Sequence, residues 1–368
     1  MHDFLSRMRD SHEWLNDKGR EREAAAVARV LNFRREAASA AYRVTMNLEN
    51  IEELFSLASA SRGEMDKHIR LAIAGTLDSA RIEKMGKMRM RMRVQGDSSV
   101  FRDKDQVDKG LHPKWVEFAG PEPHTGHPQG EAGPYFIDLY AFYAARLLGM
   151  FLNGSPKGQS TFITFNYDML LENALTRLHL PYNYGFATGS VTWHGNAVRH
   201  MHPRGIGVFK LHGSVNWARK NSRSKSLVIF DDYRDVLETD LVPELVPPTW
   251  KKVFENQLES VWESAVQSLS TATRIVIVGF SMPPADVHFK HLMAAGLQQN
   301  ISLRQILFVN PEGEHGLRQR TNAVFKQAPI QYAEKRLSEY VDSSNWAGME
   351  EIGRPFEVCG VSLSHSKG

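Results

Sequence analysis

The chain has 368 residues, 42% hydrophobic and 24% charged, enough for one large α/β domain with insertions or for two ordinary domains, and no composition that implies disorder throughout. Its 45 basic and 42 acidic residues leave a formal charge of +3, so no whole-molecule field draws it to nucleic acid or to an anionic membrane. The single cysteine, Cys359, excludes an intrachain disulfide framework and any zinc module that needs three or four cysteines from this chain.

The N-terminus carries no basic start, apolar core and small-residue cleavage site, and no apolar run is long enough to span a bilayer. A cytoplasmic chain without membrane or direct nucleic-acid engagement is expected. From Met1 to about Ala80, Ala, Arg, Glu and Leu dominate, with apolar residues at helical spacing in Ala24–Leu31 and Ile51–Leu57, which predicts helices. Glycine occurs only at Gly19 and Gly63 in the first 63 residues, so this part offers no Gly-rich loop for a phosphate.

The string RMRMRV, Arg89 to Val94, alternates basic and apolar residues and predicts a strand with one basic face, its charge extended by Lys84 and Lys87. No aromatic residues interleave with it, so a solvated edge strand is favoured over a nucleic-acid stripe. Gln95 to Gly133 reads as a long surface loop; His124 and His127 lie among its prolines and glycines and are read as solvated rather than as metal ligands. The apolar series Phe136, Leu139, Phe142, Tyr143, Leu147 and Met150 predicts a helix ended by Asn153–Pro156. The following GSPKGQST lacks the glycine and lysine spacing of a phosphate loop, and ATP binding through it is discarded.

The second half changes character. TFITF precedes MLLENALTRL, RIVIVGF precedes ADVHFKHLMAAGL, and the runs VFKLH and ILFV add further strands, an alternation that predicts a parallel sheet of βαβ units. In such sheets ligands bind at the carboxyl ends of strands. Four polar clusters stand there: Phe165-Asn166-Tyr167-Asp168, Leu211-His212-Gly213-Ser214, Gly279-Phe280-Ser281-Met282-Pro283-Pro284 with Asp286 as a helix cap, and Asn310-Pro311-Glu312. Taken singly, each is explained by caps, turns or a hydrogen-bonded histidine.

Taken in order, NIEELFSLA, TFNYDMLLE, KLHGSVNW, VPPTWKK and GFSMPPADVHF resemble signatures of the sirtuin-like NAD hydrolases of bacterial antiphage defence, over roughly residues 40 to 312. The resemblance implies a doubly wound, Rossmann-like α/β fold with a helical N-terminal and inserted region. It implies that Asn166 and Asp168 face the nicotinamide ribose and carboxamide, and that His212 is the catalytic histidine. Gly279 and Ser281 correspond to the phosphate turn and Asn310 to the asparagine on the adenosine ribose, while Asp286 and Pro284 belong to the signature without a role of their own. The reaction implied is NAD plus water giving ADP-ribose and nicotinamide, used to deplete NAD in abortive infection by oligomers sometimes paired with a HerA-type ATPase.

The chain departs from the family in two ways. One cysteine cannot build the four-cysteine ribbon of deacetylating sirtuins, so no zinc is expected and water is the expected acceptor. The opening strand and Gly-rich loop are not found in the N-terminal part, which suggests a chain shortened by roughly 30 to 40 residues, the span such a unit needs, or a degenerate member. The rival reading is a non-catalytic NAD or ADP-ribose binding or assembly subunit; a protein deacylase is the weakest. The expected organisation is a helical region with an inserted loop over 1–150, an NAD-binding core over 151–330 and a tail or assembly segment over 331–368.

Overall fold

Alanine, arginine and glutamate are strong helix formers, and they carry the first part of the chain into helices. The computed structural model describes residues 2–60, 65–85, 89–94, 120–121, 135–148, 159–195, 201–219, 227–248, 258–282, 287–325, 328–342 and 361–364. The elements begin with α1 (His2–Asp17), α2 (Glu21–Arg43), α3 (Ile51–Ala60) and α4 (Met65–Met85), then β1 (Arg89–Val94), β2 (Gly120–Pro121), β3 (Tyr135–Asp138) and α5 (Leu139–Leu147). There follow β4 (Thr161–Thr164), α6 (Leu170–Arg177), β5 (Tyr182–Asn183), β6 (Val191–Trp193), β7 (Ile206–Lys210), β8 (Gly213–Arg219), β9 (Leu227–Ile229), α7 (Tyr233–Leu237) and β10 (Val242–Leu245). The chain continues through α8 (Glu259–Thr271), β11 (Arg274–Val278), α9 (Val287–Leu297), β12 (Gln305–Val309), α10 (Gly313–Asn322), β13 (Ile330–Ala333), α11 (Leu337–Asp342) and β14 (Val361–Ser364).

The chain divides into two compact units, the first made of 1–88, 163–172 and 181–261, the second of 89–162, 173–180 and 262–368. In the first unit, Met8, Leu15, Val27, Val30, Phe55 and Ile69 of the N-terminal helices share one core with Met169, Val215, Phe230, Tyr233 and Leu245. The helices therefore support the loop that follows β4, through Met169 and Tyr167, and the strand β8, through Val215. At about 1.5–3 kcal/mol per fully buried large apolar side chain, this shared core is a main source of the unit's cohesion. Two small sheets complete it: β4–β7–β5, with β5 and β7 parallel, and β10–β8–β9–β6, in which β8 runs antiparallel to both β9 and β10. Glu244 on β10 takes Arg219 of β8 at 2.6 Å and Arg70 of α4 at 3.3 Å, tying helix to sheet through a buried carboxylate.

The second unit holds the parallel sheet β11–β12–β13, register-matched from Arg274 against Gln305 to Val309 against Ala333, and the sheet β14–β1–β3–β2. The fold is thus mixed α/β with parallel sheets and an N-terminal helical region, consistent with a sirtuin-like, Rossmann-like architecture. No helix among the described residues is long and apolar enough to cross a membrane.

Two expectations need correction. Tyr135–Asp138 forms β3 rather than the start of a helix, because it pairs antiparallel with β1, and the helix begins only at Leu139. The basic strand β1 is an inner strand rather than the solvated edge strand expected, because it pairs antiparallel with β14 on one side and β3 on the other. The sheet β10–β8–β9–β6 was not foreseen among the parallel βαβ units. Cys359, His124, His127, Lys87, Pro284 and Asp286 lie outside the described residues.

Candidate functional site

Phe165 to Met169 form the loop between β4 and α6. Met169 is 2% exposed and joins the core, with Tyr167 packed against the same core, whereas Asn166 is exposed and Asp168 is half-buried. The backbone is pinned at several points: Asn166 N donates to Thr164 Oγ1 at 3.0 Å, Val215 N donates to the Tyr167 carbonyl at 3.0 Å, and Tyr167 Oη donates to the Val246 carbonyl at 2.6 Å. Burial raises the Tyr167 phenol well above its ordinary value, against the lowering effect of the Arg70 charge, so it remains a donor. Asp168 Oδ1 accepts from Leu170 N at 3.0 Å, starting α6 with an Asx turn.

His212 sits in the tight turn between β7 and β8. Gly213 has φ +84°, and a Cβ there would stand 2.1 Å from the Glu244 carbonyl oxygen, so the turn needs glycine on both counts. The His212 carbonyl accepts from Val246 N at 2.8 Å, and Leu211 N donates to the Thr164 carbonyl at 2.9 Å. The imidazole is 7% exposed, its centroid 4.9 Å from Phe165 and 6.3 Å from Tyr167. The rings on either side of Asn166 are therefore the ones that pack against His212. The loop that carries Asn166 and Asp168 and the turn that carries His212 are thus held against each other in the first unit.

Bonded to the same loop is a buried polar group to which the residue pattern assigned no role. Lys210, the last residue of β7, is 0% exposed; its Nζ donates to Glu172 Oε1 at 2.8 Å, to the Tyr167 carbonyl at 3.4 Å and to the Asp168 carbonyl. Tyr184 Oη donates to Glu172 Oε1 at 3.2 Å, and Asn216 Nδ2 lies 3.5 Å from Tyr184 Oη. Ser214 Oγ donates to Asn216 Oδ1 at 2.6 Å. The available signal was a lone charged residue in the apolar run VFKLH, at a strand end.

In the second unit the loop after β11 and the end of β12 meet. Gly279 N donates to the Val309 carbonyl at 3.0 Å; Gly279 has φ +67°, and a Cβ built on it would meet nothing within 4 Å. Ser281 is exposed. Asn310 is 5% exposed and spans the two loops, its Nδ2 donating to the Phe280 carbonyl at 3.3 Å and its Oδ1 accepting from Glu312 N at 2.9 Å. Gly279, Ser281 and Asn310 are thus neighbours within this unit. Among the described residues, no three His, Cys, Asp or Glu side chains form a group that could hold a metal ion.

Residues 160–333 match the family model of the SIR2-like domain, a span that contains all the residues singled out above. The match supports a sirtuin-like family for the chain, and SIR2-like domains bind NAD. No curated protein matches the chain.

Proposed function

We propose that the protein is an NAD glycohydrolase that cleaves NAD with water to ADP-ribose and nicotinamide. The observation that supports this reading is the packing of His212 against Phe165 and Tyr167, the rings on either side of Asn166, in a loop where Asn166 is exposed and Asp168 half-buried. Breaking the glycosidic bond sends its electron pair to the nicotinamide nitrogen and builds positive charge on the ribose; water then forms the new bond to that carbon and gives up a proton. Asn166 is suited to hold the water or a ribose hydroxyl in register, and Asp168 to hydrogen-bond the carboxamide. His212 is suited to take the proton, a role worth about 10² to 10⁴ in rate.

Gly279 supports a role beside phosphates, since the space above its Cα is open to a close approach by ligand. Ser281 and Asn310 are assigned by resemblance to the phosphates and the adenosine ribose, and Asp286 to the same signature. Depletion of NAD in antiphage defence, a homo-oligomeric state, a HerA-type ATPase partner and a cytoplasmic location are proposed on the same resemblance. The test is to incubate purified protein with NAD and follow nicotinamide, with acetylated peptide in a parallel reaction. Release that does not depend on the peptide is expected. NAD binding without release would instead favour a non-catalytic binding or assembly subunit, and peptide-dependent release a deacylase.

A further inference from the structure

A lysine side chain without exposure must satisfy three N–H donors inside the protein, and an apolar residue of the same volume would fill that space without the desolvation cost. Lys210 meets the requirement with three acceptors: Glu172 Oε1, the Tyr167 carbonyl and the Asp168 carbonyl. Two of the three belong to the main chain of the loop that carries Asn166 and Asp168. Glu172, in the first turn of α6, balances the charge and takes a second donor from Tyr184 Oη at 3.2 Å. Burial, and then the charge of Glu172, hold the Tyr184 phenol well above its ordinary pKa, so it stays a donor to that carboxylate. The chain of bonds runs on through Asn216 to Ser214, two residues past His212.

We infer that the buried Lys210–Glu172 pair is a positioning device, which fixes the main chain of Tyr167 and Asp168 against the end of β7 and so sets Asn166 and Asp168 relative to His212. As a role in catalysis this rests on the NAD hydrolase reading; as a role in ordering the loop it stands by itself. Neither residue touches the reacting atoms. Their effect passes through the loop backbone, where a displacement of about 1 Å costs roughly 10²-fold in rate.

The test compares wild type with Lys210→Met and with the paired Lys210→Met/Glu172→Met, by melting temperature, nicotinamide release and amide hydrogen exchange. Lys210→Met leaves the Glu172 carboxylate buried without its cation and should melt lower; the paired variant removes both charges and should recover most of that loss. The paired variant is nevertheless expected to turn over NAD about 10²-fold more slowly than wild type, with faster exchange confined to the amides of residues 166–170. Recovery of both melting temperature and turnover would overturn the inference and leave the pair a packing element. If wild type itself releases no nicotinamide, the hydrolase reading fails, and the exchange data alone decide: faster exchange in the loop supports the positioning role, and unchanged exchange overturns it.

Discussion

The phenol of Tyr167 donates a 2.6 Å hydrogen bond to the main-chain carbonyl of Val246, whose own N–H donates to the carbonyl of His212 at 2.8 Å. One residue after β10 thus holds both the Asn166 loop and the histidine turn. Tyr167→Phe deprives the Val246 carbonyl of this donor and is expected to cost about 1–3 kcal/mol in urea unfolding. Turnover should fall roughly 10-fold or more, as the loop loses its anchor. Wild-type turnover in a protein destabilised by this amount would show that the anchor serves stability alone.

Asp168 carries two roles that one substitution would confuse. Its Oδ1 accepts from Leu170 N at the start of α6, so Asp168→Ala should lose about 0.5–2 kcal/mol from the helix start as well as activity. Asp168→Asn keeps an oxygen acceptor for Leu170 N and should retain the wild-type melting temperature while remaining slow. An Asn variant as active as wild type would confine Asp168 to helix capping.

Gly213 and Gly279 both have positive φ but differ in their surroundings. A Cβ at Gly213 meets the Glu244 carbonyl oxygen at 2.1 Å, a backbone neighbour that cannot swing aside, whereas one at Gly279 meets nothing within 4 Å. Gly213→Ala is expected to cost at least about 2 kcal/mol, from strain and overpacking together, and Gly279→Ala only about 1–2 kcal/mol from backbone strain. Equal melting temperatures for the two variants would contradict the tight turn beside His212.

Alkaline pH should weaken the first unit. Burial, as the largest cause, raises the phenols of Tyr184 and Tyr233 well above their ordinary value of 10.0, with Glu172 adding to the first and Glu23 and Asp78 to the second. The folded protein keeps these protons where the unfolded chain releases them, so the contribution is whole below about pH 10 and is lost as the pH rises beyond it. Melting temperatures measured from about pH 8 to about pH 11 should fall steeply above pH 10, and less steeply in Tyr184→Phe. A flat profile would mean that these phenols ionise normally.

Much of this architecture is legible in the residue order, and the failures have physical causes. The Ala- and Arg-rich start reads as helix because local propensity and apolar spacing agree there, and RMRMRV reads as a strand because its alternation is local. Tyr135–Asp138 joins smoothly to the apolar pattern of the next helix, and only its pairing with β1 makes it a strand. β8 conceals its period because Ser214, Asn216 and Arg219 are buried in hydrogen bonds or ion pairs alongside Val215 and Trp217. The strand-end clusters around Asn166 and His212 were visible, but the lysine bonded to the Asn166 loop was not, since its carboxylate partner lies 38 residues earlier in the chain.

The central claim is tested most directly by nicotinamide release from NAD, measured side by side for wild type, Asn166→Ala and His212→Ala with melting temperature and NAD binding recorded on the same samples. Asn166 is exposed, so its replacement should change stability by no more than about 0.5 kcal/mol. His212 packs against Phe165, so its loss carries a modest packing cost in addition. The account predicts nicotinamide and ADP-ribose in equal amounts from wild type, and an Asn166→Ala protein that melts like wild type and binds NAD but releases nicotinamide only at background. A folded Asn166→Ala protein with wild-type turnover, or a wild type that binds NAD and never cleaves it, would contradict the account.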